Sequence, residues 1–231
     1  MTKQVQECEA QPESAATVFG DRTELAAAYA RLLADEGVLR GLIGPSEPAR
    51  LWTRHLLNCG VLSEAIEQDE SVVDIGSGAG LPGIPLAIAR PDVSVTLVEP
   101  LLRRTVFLDE VVEELGLDNV TVVRGRAEEA AVRAEVGEAD VCTSRAVAPL
   151  DRLAKWSAPL IRVGGRLVAL KGSSAPEEIA AHREAVARLG LTGLRTVTIG
   201  EGIVDPPSIA VVGDRVAVAA DGKRRRSAKK R

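Results

Sequence analysis

The chain has 231 residues, 45% hydrophobic and 27% charged, which suits one α/β domain with a modest appendage and leaves no room for two full domains. No apolar run approaches the roughly 18 residues of a membrane span, and the N-terminal stretch has no apolar secretory core, so a cytoplasmic protein without membrane contact is expected. Net charge is −4, yet seven of the 29 basic residues fall within 223–231; the rest is strongly acidic, so any nucleic-acid contact must use a local basic patch or that tail.

Residues 1–20 read as a disordered leader. Asp21, with Glu24 three positions on, has capping-box spacing and predicts a helix whose apolar face holds Leu25, Tyr29, Leu32 and Leu39. Pro45 and Pro48 break the chain. Trp52, Leu56, Cys59, Leu62 and Ile66 then recur at helical spacing, so residues 21–68 form an N-terminal helical cap. From residue 71 strands alternate with helices: 71–75, 93–98, 119–123, 140–144, and 166–170 entered through a Gly164-Gly165 turn. Strands at 194–199 and 209–212 close the series as a hairpin. The helix after the second strand carries Leu101, Leu108, Val112 and Leu115 on one face, and residues 175–189 are rich in Ala and Glu. This pattern predicts an α/β core over residues 69–215, a mostly parallel seven-stranded sheet with helices on both faces, followed by a solvated basic tail at 216–231. Cys8, Cys59 and Cys142 are widely spaced, which excludes a zinc ribbon and speaks against a disulfide framework, and no metal site is expected.

The chemistry concentrates after the first strand. A strand that ends in glycines and opens a helix brings backbone N–H groups beside a ligand. Gly78, Gly80 and Gly83 satisfy the dinucleotide spacing G-x-G-x-x-G, while Gly76, Gly78 and Gly80 satisfy the tighter G-x-G-x-G of S-adenosylmethionine enzymes. Asp74 decides between them. A carboxylate at that strand end would repel a pyrophosphate but suits the cationic methionine part of S-adenosylmethionine, directly or through water. Glu99 closes the second strand, where a carboxylate can accept ribose hydroxyls in either cofactor class.

The stretches Arg54-His55-Leu56-Leu57-Asn58, Val73 to Leu86 with its core GSGAGLPGIPL, Ser144-Arg145-Ala146 and Leu170-Lys171-Gly172 occur in one order. By these blocks the chain resembles the bacterial small-subunit ribosomal RNA guanine-N7 methyltransferases, also called glucose-inhibited division protein B, over roughly residues 20–215. The resemblance implies a Rossmann-like class I methyltransferase fold, S-adenosylmethionine as cofactor, and methylation of N7 of a guanine in 16S ribosomal RNA near the decoding centre. It implies 16S RNA, or a small-subunit precursor, as partner of a monomeric enzyme. It also implies a cofactor pocket of Gly76, Ser77, Gly78, Gly80 and Leu81, with Ala127 and Glu128 flanking the adenine and Arg145 beside cofactor and base. A methyltransferase with a non-RNA acceptor, a nicotinamide-dependent oxidoreductase and a noncatalytic RNA-binding module are the alternatives.

Guanine N7 carries a free lone pair, so it can attack a methyl group without losing a proton, and no catalytic base is demanded. Recognition of its O6 calls for an arginine or lysine, and Arg145 and then Lys171, at neighbouring strand ends, are the candidates; a salt bridge to a nearby carboxylate is the plainer role for either. His55 and Asn58 fall on one flank of the second helix, as packed residues or as the mouth of the site. Arg103 and Arg126, with Arg104 and Arg124, are candidate phosphate contacts or else scattered solvated charges. Cys142 reads as a packed strand cysteine rather than a nucleophile. Asp205-Pro206-Pro207-Ser208 reads as a turn, Trp156 as helix packing rather than a stacking platform, and His182 as a solvated surface residue.

Overall fold

A computed structural model of the protein describes residues 8–218. The expected disordered leader is corrected from residue 8 onward. Ser14–Phe19 forms helix α1 and buries Ala15 and Phe19, and Phe19 meets Trp52 edge to face with ring centroids 6.3 Å apart. The Glu9 carboxylate accepts the backbone N–H groups of Trp52 at 2.8 Å and Thr53 at 3.1 Å. Gly60 makes this docking feasible, because a Cβ there would stand 2.5 Å from Val18 and 2.9 Å from Phe19. Residues 1–7, and the tail beyond residue 218, lie outside the described residues.

Helix α2 spans Thr23–Leu32; a 3-10 turn precedes it and no side chain caps it, so Asp21 is not its N-cap. Its buried side is Ala26, Ala27, Tyr29 and Ala30, while Leu39 is 79% exposed. The helix runs on into a π-helical turn, Leu33–Gly37, and that wider turn rotates later residues away from a 3.6-residue stripe. A second irregular rod follows, with a π turn at Trp52–Leu56, helix α3 at Leu57–Gly60 and a 3-10 turn at Val61–Ala65. Here Trp52, Leu56, Cys59, Leu62 and Ile66 are all buried, as their spacing predicts.

The sheet comprises β1 Ser71–Ile75, β2 Ser94–Glu99, β3 Val120–Arg124, β4 Ala139–Arg145, β5 Ile161–Lys171, β6 Leu191–Ile199 and β7 Ser208–Arg215. Its order is β3-β2-β1-β4-β5-β7-β6. The first five strands run parallel, and β7 lies antiparallel between β5 and β6. Strand β5 starts five residues earlier than the sequence pattern suggests. The Gly164-Gly165 pair is a bulge inside it, where the register with β4 jumps from Ala139↔Ile161 to Val141↔Arg166.

Both faces of the sheet are covered, which is why the central strands are continuous apolar runs. Val72, Val95, Leu97, Val141 and Val168 face the cap together with helices α4 (Gly83–Ala89) and α5 (Leu102–Leu115). Val73, Val98, Cys142, Leu167 and Val211 face α6 (Ala130–Val136), α7 (Leu150–Ser157) and α8 (Ala175–Ala187). The cap and its sheet face thus share one core. On α5 the buried side is Phe107, Leu108, Val111 and Leu115, whereas Leu101 is exposed. Beneath the cap, Arg166 of β5 binds both oxygens of Glu70 at 2.6 and 2.7 Å and the Ala65 carbonyl at 2.8 Å. Among the described residues no helix is long and apolar enough to cross a membrane. Strand order reverses between β1 and β4, and open α/β sheets form their ligand crevice at the carboxyl ends of such strands.

Candidate active site

Two clefts open at that edge. The first, of about 500 Å³, lies over the ends of β1, β2, β3 and β4. Ile75, Val98, Leu101, Val147 and Trp156 supply apolar walls, and Glu99, Glu128, Arg104, Arg126 and Arg145 the charges. The second, of about 820 Å³, is bounded by the cap residues Arg50, Thr53, Arg54, His55 and Asn58, by Leu170 to Ser173 and by Asp205 to Ile209. Arg145 and Ala146 belong to both.

The glycine loop reaches the first cleft at its start, through Gly76. Gly76 N–H donates to the Val98 carbonyl at 2.8 Å, which ties the loop to β2, and its φ of 69° is one that L side chains rarely adopt. Gly80 is packed tightly: a Cβ there would meet Ile84 at 2.6 Å and the Tyr29 hydroxyl at 2.8 Å. That hydroxyl donates to the Ala79 carbonyl at 2.6 Å, so α2 of the cap pins the loop from behind. Burial pushes the Tyr29 phenol well up, and it remains a donor at neutral pH.

Glu99 is 1% exposed and stands on the cleft wall. Its carboxylate accepts Gly78 N–H at 3.0 Å, Leu101 N–H at 3.0 Å and Arg104 Nη1 at 3.3 Å. A carboxylate offers about four lone-pair directions, so one remains for a hydroxyl, and the Arg104 contact is the longest of the three to displace. A buried acceptor beside apolar walls that suit a flat ring fits the nucleoside part of S-adenosylmethionine. Ala127 is buried in the wall and Glu128 is exposed at its edge.

Asp74 is not on that wall. It is fully buried beneath the loop, where Oδ2 accepts Gly83 N–H at 3.1 Å and Oδ1 has no partner. Burial pushes its carboxyl up to about 7, against the opposing hydrogen bond from Gly83. Ser77 is buried, with its hydroxyl on the Asp74 carbonyl at 3.0 Å, and Leu81 packs in the core. Asp74, Ser77, Gly80 and Leu81 therefore support the loop from below, Gly78 is held to Glu99, and Gly76, Glu99, Ala127, Glu128 and Arg145 line the cleft.

Of the candidate substrate residues, His55, Asn58 and Lys171 line the second cleft. Arg126 lines the first instead, and Arg103 is exposed on α5 and lines neither. Lys171 is not free to reach a base. Its ammonium donates to the Ala148 carbonyl at 2.9 Å and to Glu178 Oε1 at 3.0 Å, and Glu178 also accepts Leu150 N–H at 2.5 Å. This triad clamps the loop that follows Arg145, in which Ala146 has φ 54°. Arg145 keeps its place at the junction: Nη2 meets His55 Nδ1 at 2.6 Å, and Nη1 donates to the Arg54 carbonyl at 3.4 Å. His55 is buried and passes the contact on to Glu47.

Cys142 is fully buried, and burial pushes its thiol up to about 12, so it is no nucleophile near neutral pH. The turn at Asp205-Pro206 forms part of the second cleft's wall, which the turn reading did not anticipate. Trp156 lines the first cleft while packing against the core beneath α7. His182 is partly buried, 4.0 Å from Asp151. Sequence reading also missed Glu47, Arg50 and Tyr29. Arg54 stood in plain view inside the Arg54-to-Asn58 block; the others carry no local motif.

Residues 22–204 match the family model described as rRNA small subunit methyltransferase G. The chain belongs to this family. Ribosomal RNA small subunit methyltransferase G of Rhodococcus jostii is 61% identical over 203 residues, covering 88% of this chain and 89% of the relative. That of Corynebacterium glutamicum is 58% identical over 200 residues, covering 87% and 90%. Among solved structures, a predicted O-methyltransferase from Agrobacterium tumefaciens superposes with TM-score 0.55 at 18% identity, covering 71% of this chain and 81% of that one. TYW2 of M. jannaschii in complex with AdoMet superposes with TM-score 0.54 at 16% identity, covering 72% and 78%. At such identities these likenesses concern the fold, which is the Rossmann-like class I methyltransferase fold with its mostly parallel seven-stranded sheet.

Proposed function

We propose that this protein methylates N7 of one guanine of 16S ribosomal RNA, near the decoding centre, with Arg145 as the residue that meets both cofactor and base. Its family makes it an S-adenosylmethionine-dependent methyltransferase of small-subunit ribosomal RNA. The observation that carries the finer reading is the meeting of two clefts at Arg145 and Ala146. One suits a nucleoside, and the other has cations on its walls. With this reading goes the expectation of a monomeric enzyme in the cytoplasm, where ribosomal RNA is made.

When bound, S-adenosylmethionine supplies a methyl group activated by a sulfonium. The protein has to hold the acceptor in line with it, and orientation of this kind can contribute roughly 7–11 kcal/mol. N7 loses no proton, and the site is arranged accordingly. Both ring nitrogens of His55 are engaged, Asp74 is sealed under the loop, and Cys142 is inside the sheet. Arg145 turns N–H groups to the Arg54 carbonyl and to His55 and also lies against the Cys59 thiol, and its remaining N–H groups can donate to guanine O6. Lys171 supports this arrangement at one remove by fixing the loop after Arg145.

The test is methyl transfer from labelled S-adenosylmethionine to 16S RNA, free and in small subunits, from cells lacking the endogenous enzyme, followed by nucleoside analysis. Label in 7-methylguanosine is expected. Label in another nucleoside would overturn the choice of N7, and unlabelled RNA in both forms would overturn the acceptor.

A further inference from the structure

Arg145 is the wall common to both clefts, and a chain of contacts reaching back into the cap holds it there. Its Nη2 lies 2.6 Å from His55 Nδ1, His55 Nε2 lies 2.5 Å from Glu47 Oε2, and Glu47 Oε1 accepts Arg50 Nη2 at 2.5 Å. The donor inventory fixes the protons. A guanidinium only donates, so Nδ1 of His55 must accept. The imidazole is then neutral, with its one proton on Nε2, where it is donated to the Glu47 carboxylate. A second proton, on Nδ1, would set donor against donor and break the hold on Arg145.

The surroundings favour the neutral ring. Burial lowers the affinity of His55 for a proton; the positive charge of Arg145 acts the same way, and Glu47 opposes both. Arg54, on the same turn, adds a smaller push in the direction of Arg145's. The hydrogen bond from Arg50, above all, holds the Glu47 carboxyl down at about 2, so this acceptor stays ionised. On its far side Arg145 faces Asp74, Cys59 and Tyr29. Of these only Asp74 titrates near neutral pH, so the test must separate it from His55.

We propose that Glu47 and His55 are positioning residues for methyl transfer: neutral His55, protonated on Nε2, holds Arg145 where the clefts meet, and protonation of His55 releases it and slows transfer in mild acid. This rests on the reading of Arg145 given above. N7 transfer itself releases no proton from the base before attack, so the reaction brings no acid limb of its own.

Single-turnover transfer at saturating cofactor, followed from about pH 5 to about pH 8, should show an acid limb in the wild type. His55→Gln keeps an acceptor for Arg145 but does not titrate; its plateau should fall about ten-fold and the limb should vanish. Glu47→Gln keeps an acceptor for Nε2–H but removes the charge that favours the imidazolium; its limb should move to lower pH by about half a unit or more. A limb that stays at the same pH in both variants belongs to Asp74 or another group and overturns the proposal. Nitrogen NMR of the cofactor-free protein gives a second reading independent of activity. The chain has two histidines, and His182→Gln assigns them. His55 should show the Nε2–H tautomer at neutral pH; an Nδ1–H tautomer or an imidazolium would overturn the proposal outright. Full turnover by Arg145→Ala would instead sink the role given to Arg145, while the NMR result would still judge the contact.

Discussion

Glu99 gathers two backbone amides and a guanidinium around one buried carboxylate, and this sets both the shape of the glycine loop and the acceptor offered to the cofactor. Charge-assisted hydrogen bonds are about twice as strong as neutral ones. Glu99→Gln keeps the shape and removes the charge, so affinity for S-adenosylmethionine should fall on the order of ten-fold, about 1.4 kcal/mol, by calorimetry. Unchanged affinity would mean that the carboxylate serves the loop alone. Asp74 works in the opposite sense, as a group whose ionisation opposes folding. Its folded-state value of about 7 stands above the ordinary 3.8. Its contribution to stability is therefore complete below about pH 4 and is lost as pH rises through about 7. Relative to the wild type, Asp74→Asn should gain on the order of 2 kcal/mol between about pH 5 and about pH 8 in denaturant titrations. His55, whose folded-state value is depressed, contributes above about 6.5 and loses that contribution in acid, but it is common to both proteins and cancels in the difference. A pH-independent difference would show that Asp74 is already ionised in the folded protein across the range.

At the scale of elements, α2 acts on the cofactor loop through one hydroxyl. Tyr29→Phe removes the donor to the Ala79 carbonyl and leaves it buried, which should cost about 1–2 kcal/mol of stability in urea unfolding. Cofactor binding should weaken several-fold, since the loop loses its rear anchor; a loss of stability with full affinity would confine Tyr29 to packing. No local pattern announces this contact, because its partners lie 50 residues apart. The strands were legible for the reverse reason. A central strand covered on both faces is a run such as Val72 to Ile75, preceded by polar residues and ended by Gly76, and needs no knowledge of its neighbours. The cap was legible only in part, because its π and 3-10 turns break the period on which helix reading rests; Leu39 shows the error. The site followed the same division. The contiguous loop and the strand-end residues Glu99 and Arg145 could be named, whereas the capture of Lys171 by Glu178 and the contact between His55 and Arg145, 90 residues apart, depend on how the elements meet.

For the molecule as a whole, the difficulty is that an acidic chain must bind a polyanion. Net charge is −4 even with the basic residues of 223–231 included, so long-range attraction cannot be general. What the fold provides instead is local: Arg50, Arg54, Arg145 and Lys171 are drawn from the cap, β4 and β5 to one cleft. Three of these cations are committed, Arg50 to Glu47, Arg145 to His55 and Lys171 to Glu178. Arg54 is the exposed one: its side chain is 60% accessible, and its ion pair with Glu47 is long, at 3.9 Å. Each phosphate neutralised adds about 0.7–0.9 to the slope of log affinity against log salt concentration. Arg54→Gln should therefore lower that slope by a little under 1 and weaken RNA binding most at low salt. Arg188→Gln, just past the end of α8 and lining neither cleft, should leave the slope unchanged. Equal effects from the two substitutions would mean that RNA senses only the total charge of the protein, and the second cleft would lose its claim as the RNA-binding face.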